Sequence, residues 1–188
     1  MARMLVLASA SPRRQELLRN AGIAFEVLPA HIAEELRPKE HAKDCAERLA
    51  KEKALVVADL RPGDAVLGAD TVVVVDDQIL GKPVDAADAA RMLRLLSGRT
   101  HQVITGVCLV ADGQCLVASE TTRVAVAEIS EKDIADYIST GEPMDKAGAY
   151  AIQGVASRWI PRIEGDYSNV VGLPLAVVNR MMNELHLL

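Results

Sequence analysis

Aromatic residues are scarce in this chain: one Phe, one Trp and three Tyr make up 3% of its 188 residues. The core must therefore be built from Val, Leu, Ile and Ala, since hydrophobic residues still account for half of the chain. No apolar run approaches the roughly 20 residues that a membrane-spanning helix requires. The N-terminus also has no extended apolar region followed by a small-residue cleavage site, so we expect no signal peptide. Length and composition predict one globular domain and no membrane partner.

The chain also has few cysteines and more acidic than basic residues. The three cysteines, Cys45, Cys108 and Cys115, are odd in number and lack metal-ligand spacing, which favours a reducing, cytoplasmic location. The net charge is −5, whereas proteins that hold nucleic-acid polymers are normally basic. We therefore expect no nucleic-acid polymer as a partner, although a small polyanion held by a few local cations remains compatible. The chain contains no P-loop, no dinucleotide fingerprint, no zinc constellation and no Ser-His-Asp triad.

The N-terminal stretch has the pattern of an anion site. An apolar run of strand type passes through a Ser-Ala-Ser turn into a helix, with Ser11 as N-cap and Pro12 at the first helical position. Unpaired backbone N–H groups, the hydroxyls of Ser9 and Ser11, and the guanidinium groups of Arg13 and Arg14 would gather at this helix end, which favours negative charge. Surface helices whose arginines only face water share these features, so the stretch alone leaves both interpretations open.

Asp70 is the strongest single-residue signal. Residues 65–75 are an apolar, β-branched run interrupted by Gly-Ala-Asp-Thr, which predicts two pieces of a central strand on either side of residues 68–71. An aspartate in such a run is costly unless it is paired, hydrogen-bonded or holding a metal, and the neighbouring Gly68 suggests a bulge or the close approach of a ligand. A turn aspartate between two strands is the alternative.

Lys53 raises a similar question on a helix predicted over residues 40–57. It falls on the apolar stripe of that helix, four residues after Leu49. Its ammonium either reaches the rim, as lysines on apolar faces usually do, or points into a cleft.

The remaining elements alternate between helix and strand, with hairpins among them. We predict helices over residues 86–96, 131–140 and 175–187, strands over 102–110, 114–119, 121–127 and 159–163, and a polar, glycine-rich loop over 141–154 that belongs to a site rather than to the core. Together these predict an α/β fold, with a mixed, twisted sheet flanked by helices and two lobes around a central cleft.

Scattered cations and acids supply the candidate chemistry. Lys82, like the cations above, lies near the end of a predicted strand or helix. The acids available are Glu34, Glu35, Asp70 and Asp145. Cations with a few carboxylates suit a nucleotide polyphosphate bound through Mg²⁺. The residues alone therefore predict a phosphorylated small molecule with a metal, but neither the base nor the bond that breaks.

Six segments in one order resemble the Maf family, the septum formation inhibitor proteins. They are residues 7–14 (LASASPRR), 68–71 (GADT), 81–83 (GKP), 97–101 (SGRTH), 140–148 (TGEPMDKAG) and 168–174 (SNVVGLP). The resemblance implies a single domain over residues 1–188 with a fold like that of inosine triphosphate pyrophosphatases. It also implies a cytoplasmic hydrolase that needs Mg²⁺ or Mn²⁺, releases a nucleoside monophosphate and pyrophosphate, and serves nucleotide-pool sanitation or cell division arrest.

The resemblance also assigns roles to individual residues. It implies Asp70 as proton acceptor, and Glu34 with Asp70 as metal ligands. The implied phosphate ligands are Ser9, Arg14, Lys53 and Lys82. Arg13, Thr71 and Gln153 resemble the positions that set base choice, in the combination of the branch that acts on dTTP and UTP. Ala33 is a departure, because family members often carry an acid there, and it predicts a thinner metal shell.

Two other interpretations stay open at this stage. One is a pyrophosphatase for a modified nucleotide such as 7-methyl-GTP. The other is a nucleotide-binding regulator of septum formation in which hydrolysis is incidental. A homodimer is compatible with the sequence, which does not determine the oligomeric state.

Overall fold

A computed structural model describes residues 4–188. Within that range the chain forms one mixed sheet of seven strands with six α-helices. The strands are β1 (Leu5–Leu7), β2 (Glu26–Val27), β3 (Ala65–Val75), β4 (Gln78–Leu80), β5 (Thr100–Ala111), β6 (Gln114–Ala125) and β7 (Arg162–Glu164). The helices are α1 (Pro12–Asn20), α2 (Ala42–Leu60), α3 (Ala86–Leu96), α4 (Glu131–Ser139), α5 (Tyr167–Val171) and α6 (Leu175–Glu184). None of these helices is long and apolar enough to cross a membrane.

Strand order confirms the predicted mixed sheet. The order is β2-β1-β3-β5-β6-β7, with β4 paired to β3. Strand β1 lies parallel to β2 and β3, whereas β4 is antiparallel to β3 and β7 is antiparallel to β6. Parallel pairs need helical crossovers and antiparallel pairs need only tight turns, which is why the sequence alternates helices with hairpins.

The chain divides into two compact units. The first contains the residues up to Asp70 together with Thr105–Glu120 and Gly172–Leu188, and the second contains Thr71–Ile104 and Thr121–Val171. Two units agree with the expected two lobes. A cleft between them and a single domain over the whole chain both stay predictions.

In the first unit, helices cover both faces of the sheet. Alternate side chains of β1 point to opposite faces, so Leu5 and Leu7 join a core cluster with residues of α1 and α6, such as Leu18 and Val178. Val6 joins a second cluster with the small residues of α2. Both clusters are aliphatic, as the scarcity of aromatic residues requires.

Strand β3 is continuous, so the predicted interruption at residues 68–71 is wrong. Gly68 lies in the strand, and a Cβ there would lie 2.2 Å from the backbone oxygen of Ala50 and 2.9 Å from Cβ of Ala54. Gly106 in β5 meets the same helix, because its Cβ would lie 2.3 Å from the backbone oxygen of Ala46. The absent side chains let α2 approach the sheet backbone. The close approach at Gly68 is therefore that of a helix, and the sequence interpretation of a bulge or ligand was wrong.

In the second unit, α3 and α4 begin and end close to the predicted residues, each with a side-chain N-cap. Asp85 accepts from the backbone N–H of Asp88, and Ser130 accepts from that of Asp133. Strand β6 runs unbroken where two strands were predicted. The strand predicted over residues 159–163 was placed too early, because Trp159 ends a 3-10 helix and β7 is Arg162–Glu164.

The segment 141–154 also departs from the prediction. It contains two 3-10 helices, Glu142–Asp145 and Ala147–Ala149, and the residues from Gly148 to Ile152 are buried. The polar composition predicted a loop outside the core. Its residues from Gly148 to Ile152 are instead packed inward, while Asp145 and Gln153 are exposed.

Candidate active site

A buried ion pair joins α2 to β3 in the first unit. Lys53 Nζ donates to Asp70 Oδ1 at 2.7 Å, and the two residues are only 7% and 6% exposed. The burial of Lys53 excludes the rim position, and the continuity of β3 excludes a turn aspartate. A buried aspartate in a strand is tolerated here because a cation faces it.

Gly68 explains how this pair forms. Residues 68 and 70 of a strand point to the same face of the sheet, so the face that receives α2 also carries the carboxylate of Asp70. Because Gly68 has no side chain, Ala50 and Ala54 pack directly on the strand. Lys53, which lies between them on α2, then reaches the carboxylate.

A second carboxylate shares the same ammonium. Lys53 Nζ lies 2.8 Å from Glu34 Oε1, and the Glu34 side chain is 44% exposed. Lys53 thus brings a buried acid and a surface acid together, although they are 36 residues apart in sequence. Glu34 precedes α2 in an irregular stretch, and the neighbouring Ala33 is exposed.

The start of α1 adds the predicted anion-binding groups. The Ser11 hydroxyl accepts from the backbone N–H of Arg14 at 3.4 Å, which confirms the predicted N-cap. Arg14 Nη1 donates to the hydroxyl of Ser9 at 3.2 Å, and Arg14 Nε donates to the backbone oxygen of Gly172 at 2.7 Å. These bonds turn the Arg14 guanidinium back over the turn that precedes the helix. Arg13, the next residue, is half-buried.

Burial dominates the electrostatics of this group. It raises the pKa of Asp70 above the usual 3.8, although Lys53 and Arg14 act in the opposite direction. Burial also lowers the pKa of Arg14, with the charge of Asp70 opposing that shift and the charge of Arg13 adding to it. Asp70 is therefore a stronger base than an ordinary aspartate, and the charges of Lys53 and Arg14 lie beside it.

These residues fit a divalent metal that arrives with a phosphorylated ligand. In the described part of the chain, no three His, Cys, Asp or Glu side chains converge as a metal cage. Glu34 and Asp70 nevertheless supply two carboxylates within reach of one ammonium. Mg²⁺ commonly binds through one or two carboxylates, several waters and substrate phosphates. The thinner shell predicted from Ala33 stays a prediction.

The other predicted residues belong to the second unit. Thr71 follows Asp70 in β3 and is half-buried, while Lys82 and Gln153 are exposed. Lys82 lies in the loop after β4, where the backbone oxygen of Gly81 accepts from the N–H of Gly148 at 3.1 Å. The first unit thus brings together Ser9, Arg14, Glu34, Lys53 and Asp70, and the roles of all these residues stay predictions.

Gly172 is the site residue that sequence reasoning missed. Its carbonyl holds the guanidinium of Arg14 although the two residues are 158 positions apart. The available signal was its place in the segment 168–174, which the resemblance matched without assigning it a role. Its φ of 136° is one that side-chain-bearing residues rarely adopt.

Comparison with known proteins identifies the family. Residues 4–185 match the family model described as Maf-like protein. The chain belongs to the Maf family. The resemblance carried by the six segments is thereby confirmed.

Curated relatives of this Maf protein carry one activity in their names. The chain is 62% identical to a dTTP/UTP pyrophosphatase of Koribacter versatilis, over 95% of this chain and 92% of that protein. It is 53% identical to a dTTP/UTP pyrophosphatase of Symbiobacterium thermophilum, over 96% and 93% of the two chains. A third, from a Geobacillus species, is 50% identical over 97% and 98%. These Maf relatives match almost end to end.

Proposed function

We propose that this Maf protein hydrolyses dTTP and UTP to the nucleoside monophosphate and pyrophosphate. The observation that carries the proposal is the buried Lys53 ammonium that binds both Asp70 and Glu34. It joins a base, a second carboxylate and a cation in one unit, as hydrolysis of a phosphoric anhydride requires. The names of relatives that are 50–62% identical support the choice of substrate.

The triphosphate binds through the cations and the start of α1. Ser9, Arg14 and Lys53 donate to its oxygens, and the backbone N–H groups of the first helical turn point in the direction that favours an anion. We assign Lys82 to the same role on the resemblance alone. One charge pair at 4 Å is worth about 4 kcal/mol at an effective dielectric constant of 20. Two or three such contacts hold a triphosphate despite the net charge of −5.

Asp70 accepts the proton of the water that attacks the α-phosphorus in line with the departing pyrophosphate. Its raised pKa makes it a better base than an exposed aspartate. Lys53 and Arg14 stabilise the negative charge that develops on the phosphoryl oxygens. Glu34 and Asp70 would hold Mg²⁺ or Mn²⁺, which neutralises phosphate oxygens and makes water more acidic.

Base choice falls to Arg13, Thr71 and Gln153 in this proposal.

We place the activity in the cytoplasm, consistent with three free cysteines, and assign it to nucleotide-pool sanitation with an effect on cell division. A homodimer is part of the same proposal and is checked by light scattering.

A nucleotide panel tests the proposal directly. Purified protein is incubated with dTTP, UTP, dCTP, dATP and 7-methyl-GTP, with Mg²⁺ or Mn²⁺ and with excess chelator, and pyrophosphate is measured. We expect release from dTTP and UTP that the chelator abolishes. Preference for 7-methyl-GTP would move the chain to the other branch of the family. Absence of release from every nucleotide would favour a binding protein that regulates septum formation.

A further inference from the structure

Gln153 lies in a turn whose two ends are both held from inside the second unit. The backbone N–H of Gly154 donates to the oxygen of Ala151 at 3.1 Å, which closes a turn over residues 151–154. Ile152 is buried and Gln153 is exposed. The direction in which the Gln153 side chain leaves the backbone therefore depends on what fixes Ala151 and Gly154.

Tyr137 fixes the first end of the turn. It lies on α4 and is 1% exposed, and its hydroxyl accepts from the backbone N–H of Ala151 at 3.3 Å. Burial and the nearby carboxylate of Glu142 raise the pKa of this hydroxyl. The phenol therefore contacts the backbone of the turn and lies close to the Glu142 carboxylate.

Glu142 lies at the other end of the turn. Its carboxylate fills the space beside Gly154, where a Cβ would lie 2.0 Å from Glu142 Oε1. Gly154 has φ −95°, which any residue adopts, so the glycine is required by this contact and not by its backbone conformation. The phenol of Tyr137 thus contacts Ala151, and the carboxylate of Glu142 occupies the space beside Gly154.

Neighbouring bonds add to this arrangement without including the turn itself. Tyr150, just before the turn, has its hydroxyl 2.6 Å from Nε2 of the buried His101. Lys146 Nζ donates to the backbone oxygen of Glu142 at 2.8 Å. The segment that enters the turn is therefore fixed as well, and Tyr137 and Glu142 supply the last contacts before Gln153.

We infer that Tyr137 and Glu142 are positioning residues that orient the Gln153 amide for recognition of a uracil-type base. The inference rests on the proposed function and on the predicted role of Gln153 in base choice. A uracil-type edge offers a carbonyl oxygen next to an N3–H donor, whereas cytosine offers an amino donor next to an N3 acceptor. A side-chain amide turned one way matches the first edge, and the same amide turned over matches the second. Discrimination between them therefore requires a fixed amide.

Tyr137→Phe tests the inference because it removes only the hydroxyl. Steady-state kinetics with dTTP and dCTP are measured for the wild type and the variant. We expect the ratio of kcat/KM for dTTP to that for dCTP to fall about tenfold, the effect of one lost hydrogen bond, while kcat for dTTP stays within about twofold. Tyr167→Phe is the matched control, since this tyrosine is exposed in the same unit. A ratio that stays unchanged, including one in which kcat/KM falls equally for both nucleotides, would overturn the inference.

Gly154→Ala provides a second test that does not depend on Tyr137. The new methyl group displaces the Glu142 carboxylate, so we expect the same loss of selectivity as in Glu142→Ala. The double variant, Glu142→Ala with Gly154→Ala, should then lose no more selectivity for dTTP than Glu142→Ala alone, because the carboxylate is already gone. Losses that multiply would overturn the inference. Failure of the proposed function gives a different result, since the wild-type protein would then release no pyrophosphate from dTTP.

Discussion

Replacing Asp70 by asparagine tests the centre of the proposed mechanism with little disturbance to the fold. The amide has the size of the carboxylate and keeps an oxygen for Lys53 Nζ, which also stays paired with Glu34 at 2.8 Å. Burial raises the pKa of Asp70, so the neutral side chain avoids part of the cost of the buried charge. We therefore expect the free energy of unfolding to fall by no more than about 1.5–3 kcal/mol, the range of one hydrogen bond to a charged group.

Activity should fall far more than stability. General-base assistance contributes about 10²- to 10⁴-fold, and each factor of ten corresponds to about 1.4 kcal/mol in the barrier. Asp70→Asn should accordingly lose at least about a hundredfold in kcat with dTTP. The loss should remain at saturating metal and substrate, because the proton acceptor itself is missing.

The assay is pyrophosphate release at saturating dTTP, with urea unfolding of the same preparations. Asp77→Asn is the matched control, since it makes the same chemical change at an exposed turn between β3 and β4. A kcat for Asp70→Asn within about threefold of the wild type, well outside the range for a general base, would refute the assigned role.

Three further predictions concern Lys53, Gly68 and His101. In Lys53→Met, loss of the cation removes an interaction that lowers the pKa of Asp70, so the acid limb of the kcat/KM–pH profile should move to higher pH. An unmoved limb would contradict the pairing. Gly68→Ala should destabilise the protein by about 1–3 kcal/mol in urea unfolding through overpacking against α2, whereas Gly81→Ala, with open space around it, should not. Burial lowers the pKa of His101 to about 4 from 6.5, so the unfolded chain binds the extra proton between these values. Stability should therefore fall by roughly 3 kcal/mol as the pH drops from 6.5 to 4, and His101→Asn should lack this dependence in thermal unfolding.

Local elements were predictable because their signals are local. The side-chain cap of α1 by Ser11, those of α3 and α4, and the hairpin with Asp112 and Gly113 at positive φ each depend on a few neighbouring residues. The mixed sheet followed from the alternation of helices with hairpins. Breaks were wrongly predicted in β3 and β6 because a glycine or a polar residue interrupts the apolar pattern of each strand. Such a residue does not end a strand that is paired with neighbours on both sides.

Glycine was the residue type that the sequence described least well. Gly68 next to Asp70 has the appearance of a ligand site, and Gly154 that of a polar loop. In the structure, the first admits α2 to the sheet and the second admits the Glu142 carboxylate. Which atom occupies the space of a missing side chain depends on elements distant in sequence.

The sequence by itself determined the family, the α/β class, most helix boundaries and the residue types of the site, because capping, periodicity and motif order are carried by neighbouring residues. Only the tertiary structure decided that Lys53 is buried, that it joins Asp70 to Glu34, and that Tyr137 and Glu142 hold the turn of Gln153. The physical reason is that each of these contacts depends on how closely two elements pack. That distance is set by the small residues between them and by the burial of the charges they carry.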